Sequence, residues 1–150
     1  MQRRKVLGVA LIATSLATMV GVAVGTPGSG VTVTPLASAR IDNRIGIRQG
    51  AGESTVAAQL TFDPGGTTGW HSHPGKTLVL VTAGEFTLYR DKGGECQTRT
   101  YEAGEGFVEK RTSVHTGVNE GAVPVEVTAV FFRVPHDGTT RFDKPDPGVC

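Results

Sequence analysis

Short runs of alternating apolar and polar residues constrain the fold of this chain more than any other feature. Between residues 55 and 62 the side chains of Val56, Leu60 and Phe62 share one parity, and mostly polar residues take the other. That alternation is typical of a half-buried β-strand. Similar short runs recur at 31–36, 44–48, 77–82, 85–90, 98–102, 106–109, 114–119 and 125–134.

Glycine and proline interrupt these runs. Turn signals stand at 63–66, 73–75, 83–84, 91–94, 103–104, 119–121 and 136–138. Glycine accounts for 21 of the 150 residues, about twice its usual share. No segment after residue 30 carries an apolar stripe at helical spacing. Many short strands joined by tight turns predict an all-β domain, built as a small antiparallel sandwich or barrel.

The first 25 residues have the layout of an export signal. Basic residues at 3–5 precede an uncharged run over 6–25, and small residues offer cleavage after Gly25 or after Ala39. The paired arginines also permit the twin-arginine route. We therefore expect a secreted or extracytoplasmic protein. Because the uncharged run is long enough to span a bilayer, a retained N-terminal membrane anchor is the alternative.

The rest of the chain has the size of a single domain. Removing residues 1–25 takes away 3 of the 15 basic residues and none of the 14 acidic ones, so the net charge changes from +1 to −2. A nearly neutral chain argues against nucleic acid as a partner. We expect a linker and an edge strand over 26–40, because Pro35 has no backbone N–H to donate to a neighbouring strand. We expect one domain over 41–150.

The two cysteines, Cys96 and Cys150, suit an oxidising compartment. In an exported protein such a pair is more often a disulfide than two free thiols. A bridge between them would close a loop of roughly 55 residues and attach the C-terminal tail to the domain. Two unpaired thiols are the alternative.

Two of the four histidines, His71 and His73, stand two residues apart. On a strand this spacing directs both imidazoles to one face. Two imidazoles from one strand supply half of a transition-metal site. Taken alone, the pair also fits a surface or hydrogen-bonded arrangement.

The stretch from Gly65 to Gly84 resembles the first motif of the cupin superfamily. That motif reads Gly, five residues, His-x-His, three or four residues, Glu, six residues, Gly. Gly65, His71, His73 and Gly84 occupy their places in it, and Thr77 stands where the Glu is expected.

The second cupin motif reads Gly, five residues, Pro-x-Gly, two residues, His, three residues, Asn. Gly104, His115 and Asn119 are in that register, with Lys110 in place of the Pro and Thr112 in place of the Gly. Several framework positions in the correct order are much more specific than a single His-x-His.

The resemblance covers about residues 55–133 and implies an antiparallel jelly-roll β-barrel of six or more strands with an interior pocket. It also implies that His71, His73 and His115 surround one point in the pocket and hold a divalent transition metal: Fe, Zn, Mn or Ni. A small-molecule ligand would share the pocket, and a homodimer through sheet edges is compatible with the family.

Thr77 is the departure that matters most for function, because the family's usual ligand set includes a glutamate at that position. A threonine hydroxyl is short, neutral and a poor ligand beside imidazole. Glu109 or Glu53 is a candidate to replace the carboxylate, although nothing in the sequence fixes the direction of either side chain. Lys76 would oppose a bound cation if it pointed inward.

Three functions remain open on the sequence. The first is an exported cupin that binds a divalent metal and a small molecule, with or without a metal-dependent activity. The second is a metal-dependent dioxygenase or isomerase-type enzyme. The third is a metal-free, degenerate cupin that serves as a ligand-binding or interaction module. Thr77 and Gln59 are the candidates for contact with an organic ligand, although Gln59 has the parity of a surface residue.

Overall fold

The computed structural model describes residues 35–42 and 44–150, and within these ranges the regular structure is entirely β. The strands are β1 (Ser54–Phe62), β2 (His71–Ser72), β3 (Thr77–Ala83), β4 (Glu85–Asp91), β5 (Cys96–Glu102), β6 (Gly106–Glu109), β7 (His115–Val118), β8 (Val125–Val134) and β9 (Phe142–Asp143).

The strands form two sheets, one ordered β1-β8-β3-β6 and the other β5-β4-β7-β2-β9. All of the strand pairs are antiparallel. The two sheets face each other across one core, which gives an antiparallel jelly-roll barrel. The predicted all-β jelly-roll fold is therefore confirmed.

Strand β1 has the alternating burial that its apolar and polar residues predict. Its burial alternates along the strand: Val56, Ala58, Leu60 and Phe62 are at least partly buried, and the residues between them are exposed. The same period appears in β3 and β8, whose inward residues complete the core. The buried apolar cluster comprises Phe62, Val79, Val81, Phe86, Leu88, Tyr101, Phe107, Val125, Val127 and Ala129.

Gly84 links β3 to β4 at a position that only glycine suits. Its φ is 72°, in the left-handed region, and a Cβ there would lie 2.9 Å from the carbonyl oxygen of Pro124. The closing glycine of the first motif is thus explained by backbone geometry.

Two of the expected strands differ from the structure. Residues 44–48 form no strand, because their alternation is matched by no pairing partner among the described residues. Residues 35–39 are likewise irregular, although Arg40 forms an isolated parallel bridge with Glu105. The remainder of the edge strand expected over 26–40 lies outside the described residues.

The C-terminal tail is attached to the barrel at two places. Strand β9 pairs with β2, and a disulfide joins Cys96 at the start of β5 to Cys150. The two-residue strands β2 and β9 were not predicted, since runs this short carry no periodicity.

The expected export signal over 1–25 lies outside the described residues. Within residues 35–42 and 44–150, the structure has no helix that is long and apolar enough to cross a membrane.

Candidate metal centre

Three buried histidines meet inside the barrel. His71 on β2 is the direct cross-strand partner of His115 on β7, and His73 follows immediately after β2. The ring centroids are 4.4 Å apart for His71 and His115, 4.7 Å for His71 and His73, and 5.1 Å for His73 and His115. One ring nitrogen from each lies within 4.8 Å of the other two. The structure therefore brings together the three histidines that the sequence singled out.

Each imidazole is oriented by a backbone carbonyl. The Nδ1 atom of His71 lies 2.8 Å from the Gly69 oxygen, that of His73 2.7 Å from the Thr140 oxygen, and that of His115 2.9 Å from the Ser113 oxygen. A carbonyl oxygen only accepts, so each Nδ1 carries the proton and donates it.

This hydrogen bonding fixes the tautomer of all three rings. In a neutral imidazole with a protonated Nδ1, the Nε2 atom keeps its lone pair. Backbone carbonyls commonly orient metal-ligating histidines in this way.

Glu109 supplies a carboxylate to the same cluster. Its Oε2 atom lies 3.0 Å from Nε2 of His73, and its Oε1 atom lies 3.1 Å from Nε2 of His115. The side chain is 7% exposed. Strand β6 places Glu109 directly opposite Thr77 on β3, so both residues face the barrel interior. A carboxylate is thus present, contributed by the neighbouring strand.

The cluster is rich in acceptors and poor in donors. A neutral Nε2 lone pair and a carboxylate oxygen repel each other unless a positive charge lies between them. The Nε2 atoms of His73 and His115 lie 3.0 and 3.1 Å from the Glu109 oxygens, so each close contact needs a proton or a metal ion between its two atoms. The positive charge must be a proton on an imidazole or a metal ion.

Burial and charge set the protonation of these groups. Burial lowers the pKa of His71 from 6.5 to about 4, so this imidazole is neutral near neutral pH. Burial on its own would raise the pKa of Glu109, but hydrogen bonds donated by the facing imidazoles of His115 and His73 in the metal-free protein hold it below its ordinary value. A neutral imidazole and an ionised carboxylate are the protonation states that a metal requires.

These residues fit a divalent transition metal. Donor atoms that share one ion at about 2.1 Å lie about 3.0 Å apart when they are neighbours at a right angle, which matches the spacing between Glu109 and two of the imidazoles. Imidazole nitrogen with one carboxylate suits Zn, Fe, Mn or Ni.

The other candidate carboxylate and the neighbouring lysine lie elsewhere. Glu53 forms an ion pair with Arg133, with 2.9 Å between the Glu53 Oε1 and Arg133 Nη2 atoms. Lys76 donates a hydrogen bond to the carbonyl oxygen of Gly46, so its charge is directed away from the histidines.

A cavity of about 250 Å³ adjoins the histidines between the two sheets. His71, His73, Thr77 and Glu109 lie at its polar end. The remaining lining residues are Ala58, Leu60, Phe62, Thr68, Val79, Phe86, Val127, Ala129, Phe131, Thr140 and Arg141.

The two residues expected to contact a ligand lie in different places. Thr77 is 1% exposed and lines the cavity, and its hydroxyl has no hydrogen-bond partner among the described residues. Gln59 lies on the exposed face of β1 and donates to Glu126, a position from which it does not reach the cavity. Its polar parity in the sequence already indicated the outer face.

The C-terminal tail holds part of the site, which the sequence did not indicate. Thr140 orients His73, β9 pairs with β2, and the Lys144 amide donates to the Trp70 oxygen at 2.9 Å. These contacts flank the His-x-His segment on the side opposite β7. The tail beyond them ends at the disulfide with Cys96.

The fold and the site define a jelly-roll barrel with three buried histidines positioned to bind a metal. The family model for a cupin domain matches residues 58–131. The chain belongs to the cupin superfamily.

Individual relatives agree with this assignment. The chain is 34% identical over 80 residues to germin-like protein subfamily 2 member 2 of Arabidopsis thaliana, a match that covers 52% of this chain and 36% of that protein. It is similar to a structure of oxalate oxidase, with 26% identity, a TM-score of 0.53, and coverage of 59% of this chain and 45% of the other.

The oxalate decarboxylase of Bacillus subtilis, which has Mn(II) centres, shares the fold. Its identity to this chain is 20%, with a TM-score of 0.53 and coverage of 61% of this chain and 24% of the other. The chain therefore spans less than half the length of each of these three proteins.

Proposed function

We propose that this protein is a cupin that binds a divalent transition metal through His71, His73, His115 and Glu109. His71, His73 and Glu109 form the polar end of the barrel cavity, which we call the metal end, and the rest of the cavity takes a small organic molecule. The observation that carries the proposal is the convergence of three buried imidazoles with the Glu109 carboxylate, whose oxygens lie 3.0 and 3.1 Å from the Nε2 atoms of His73 and His115.

The donor set supports a resident ion. Nδ1 hydrogen bonds already orient all three imidazoles, so little conformational entropy remains to be lost when a metal binds. A divalent ion there would act as a Lewis acid towards an oxygen atom of the bound molecule. The three imidazoles and Glu109 would hold that ion at the buried end of the cavity.

A metal-dependent dioxygenase or isomerase-type activity is the second candidate. The similarity to oxalate oxidase at 26% identity favours it. Against it, Glu109 is the one carboxylate among the described residues that line the cavity, and it faces two imidazoles. A carboxylate held as a ligand does not serve as a general base, which counts against an isomerase-type proton transfer. Binding or an unassigned metal-dependent activity is the function that the site residues themselves support.

The metal-free alternative requires protons in place of the ion. In that state an imidazolium from His73 or His115 would donate to Glu109, and the chain would act as a ligand-binding or interaction module. The two alternatives differ in a measurable quantity, which is the metal content of the purified protein.

We also propose that the protein is exported, with a signal over 1–25, a linker over 26–40 and a single domain over 41–150. The basic start followed by an uncharged run supports the signal. A disulfide between Cys96 and Cys150 suits an oxidising compartment. N-terminal sequencing of the exported protein tests this, and an intact Met1 in a membrane fraction would favour the anchor.

Elemental analysis tests the metal proposal. The purified chain is compared with a variant in which His71, His73 and His115 are alanine, and with His136→Ala as a control at an exposed loop histidine. We expect about one divalent ion per chain in the wild type and the control, and almost none in the triple variant. Equal, sub-stoichiometric metal in all three proteins would overturn the proposal.

A further inference from the structure

The cavity beside the metal end is mainly apolar. Side chains from both sheets line it, including Leu60, Phe62, Val79 and Phe86. Phe131 closes one side and lies 5.4 Å, ring centroid to ring centroid, from His73. A wall of this composition stabilises a hydrocarbon group through burial and gives no compensation for a second charged group.

The polar end offers one unused hydrogen-bond donor. Thr77 is almost fully buried, and its hydroxyl is without a partner in the described part of the chain. A buried hydroxyl in this state is costly to leave unpaired. Since Thr77 and Glu109 are cross-strand neighbours, the hydroxyl lies beside the metal ligands and faces the cavity they share.

The charge balance of the site selects a monoanion. One divalent ion and the carboxylate of Glu109 would leave a single positive charge at the end of a mainly apolar cavity. Arg141, the only arginine or lysine among the described lining residues, is 41% exposed and pairs with Asp143, which is 84% exposed, so its charge lies towards solvent. A dianion such as oxalate would therefore bring one negative charge that nothing in the described cavity neutralises.

We propose that the cavity binds a monocarboxylic acid with a hydrocarbon body of about six to ten carbon atoms. Its carboxylate lies at the metal end and accepts a hydrogen bond from Thr77, and its hydrocarbon body fills the apolar part between the sheets. The size follows from the cavity of about 250 Å³, since a cavity of roughly 150 Å³ holds benzene. This inference rests on the proposed metal site.

The first experiment is titration calorimetry of the Zn(II)-loaded full chain with acetate, phenylacetate and oxalate. Phenylacetate is expected to bind at least about tenfold more tightly than acetate, because each buried methylene contributes roughly fourfold. Phenylacetate should also bind more tightly than oxalate. If oxalate or acetate binds as tightly as phenylacetate, the inference is overturned.

Two alanines on β1 provide a matched pair of variants. Ala58 lines the cavity, and its neighbour Ala57 lies on the exposed face of the same strand. We expect Ala58→Leu to weaken phenylacetate binding at least about tenfold by filling the cavity, and Ala57→Leu to leave it unchanged. Equal effects of the two variants would contradict binding in this cavity.

Thr77→Val tests the hydrogen bond without adding bulk. Phenylacetate affinity should fall about tenfold while Zn(II) affinity is retained, since the variant removes a donor to the carboxylate and no metal ligand. Unchanged phenylacetate affinity would remove Thr77 from the binding site.

Metal analysis of each titrated sample distinguishes failure of the metal site from failure of carboxylate binding. A chain that takes up no Zn(II) overturns the proposed function and this inference together. A chain that holds Zn(II) at the three histidines but shows no preference for phenylacetate overturns the monocarboxylate inference and leaves the metal site in place.

Discussion

Thr77 and Glu109 are direct cross-strand partners on β3 and β6, and both side chains are buried at the histidine cluster. Thr77 occupies the position at which the cupin pattern has its glutamate, and Glu109 supplies a carboxylate from the adjacent strand. Partners in an antiparallel ladder project to the same face. The carboxylate therefore lies inside the barrel, although it comes from β6 and not from the β3 position of the cupin pattern.

The first prediction concerns removal of that carboxylate. Glu109→Gln keeps the size of the side chain but removes its charge, so divalent-metal affinity should fall at least about 100-fold. Competition with a metal-binding dye measures the affinity. Glu126→Gln is the control, because Glu126 contacts Gln59 on the outer face of the barrel. Equal affinities for the two variants would contradict a role for Glu109 as a ligand.

The second prediction concerns relocation of the carboxylate. Glu109→Thr alone should lose metal affinity, and the double variant Thr77→Glu with Glu109→Thr should recover most of it. The two strands exchange side chains in this variant, and the three histidines are untouched. The same dye competition measures recovery. If the double variant binds metal no better than Glu109→Thr, the two positions are not equivalent.

The third prediction concerns the C-terminal tail. The tail contains Thr140, which orients His73, and the disulfide from Cys96 to Cys150 holds its end. Replacing both cysteines by serine should reduce the free energy of unfolding by about 2–4 kcal/mol. It should also weaken metal binding by about tenfold or more, since a partner that orients a ligand is loosened.

Denaturant unfolding and dye competition measure these two effects. Treating the wild-type protein with a reductant should reproduce both, and the double-serine variant should not respond to reductant. If the metal affinity is the same with and without the disulfide, the other contacts of the tail are sufficient to hold His73 in place.

The fourth prediction concerns acid sensitivity of the metal-free protein. Burial lowers the pKa of His71 from 6.5 to about 4, so the unfolded chain binds a proton in this range that the folded chain does not. Stability should therefore fall as pH decreases from 6.5 towards 4. The lowered pKa of Glu109 acts in the same direction at the acidic end of the range.

Thermal unfolding of chelator-treated protein across this pH range measures the effect. His71→Asn is the control, because an asparagine amide can still donate to the Gly69 oxygen but does not titrate. The variant should lose less stability on acidification than the wild type. If the stability of the two proteins depends on pH in the same way, His71 does not contribute to the acid sensitivity.

Much of the fold could be predicted from the sequence because alternation and turn residues are local signals. The runs at 55–62, 77–82 and 125–134 correspond closely to β1, β3 and β8. The run at 44–48 has a similar pattern but no strand, since a strand also needs a pairing partner and the sequence does not show one. Strands β2 and β9 are too short to carry a period at all.

The histidine cluster could be predicted because two ligands share one strand and the third follows a recognisable motif. The direction of Glu109 could not be predicted. It depends on the register between β3 and β6, a relationship between distant parts of the chain. The contact between Thr140 and His73 is equally non-local and has no motif in the sequence.

The most direct measurement of the central claim is anomalous diffraction from crystals of the protein grown without chelator, collected at the absorption edge of the metal that elemental analysis identifies. We expect one anomalous peak about 2.1 Å from the Nε2 atoms of His71, His73 and His115, with an oxygen of Glu109 at a similar distance. A peak held by the three histidines with Glu109 turned away, or no peak at the cluster, would contradict it.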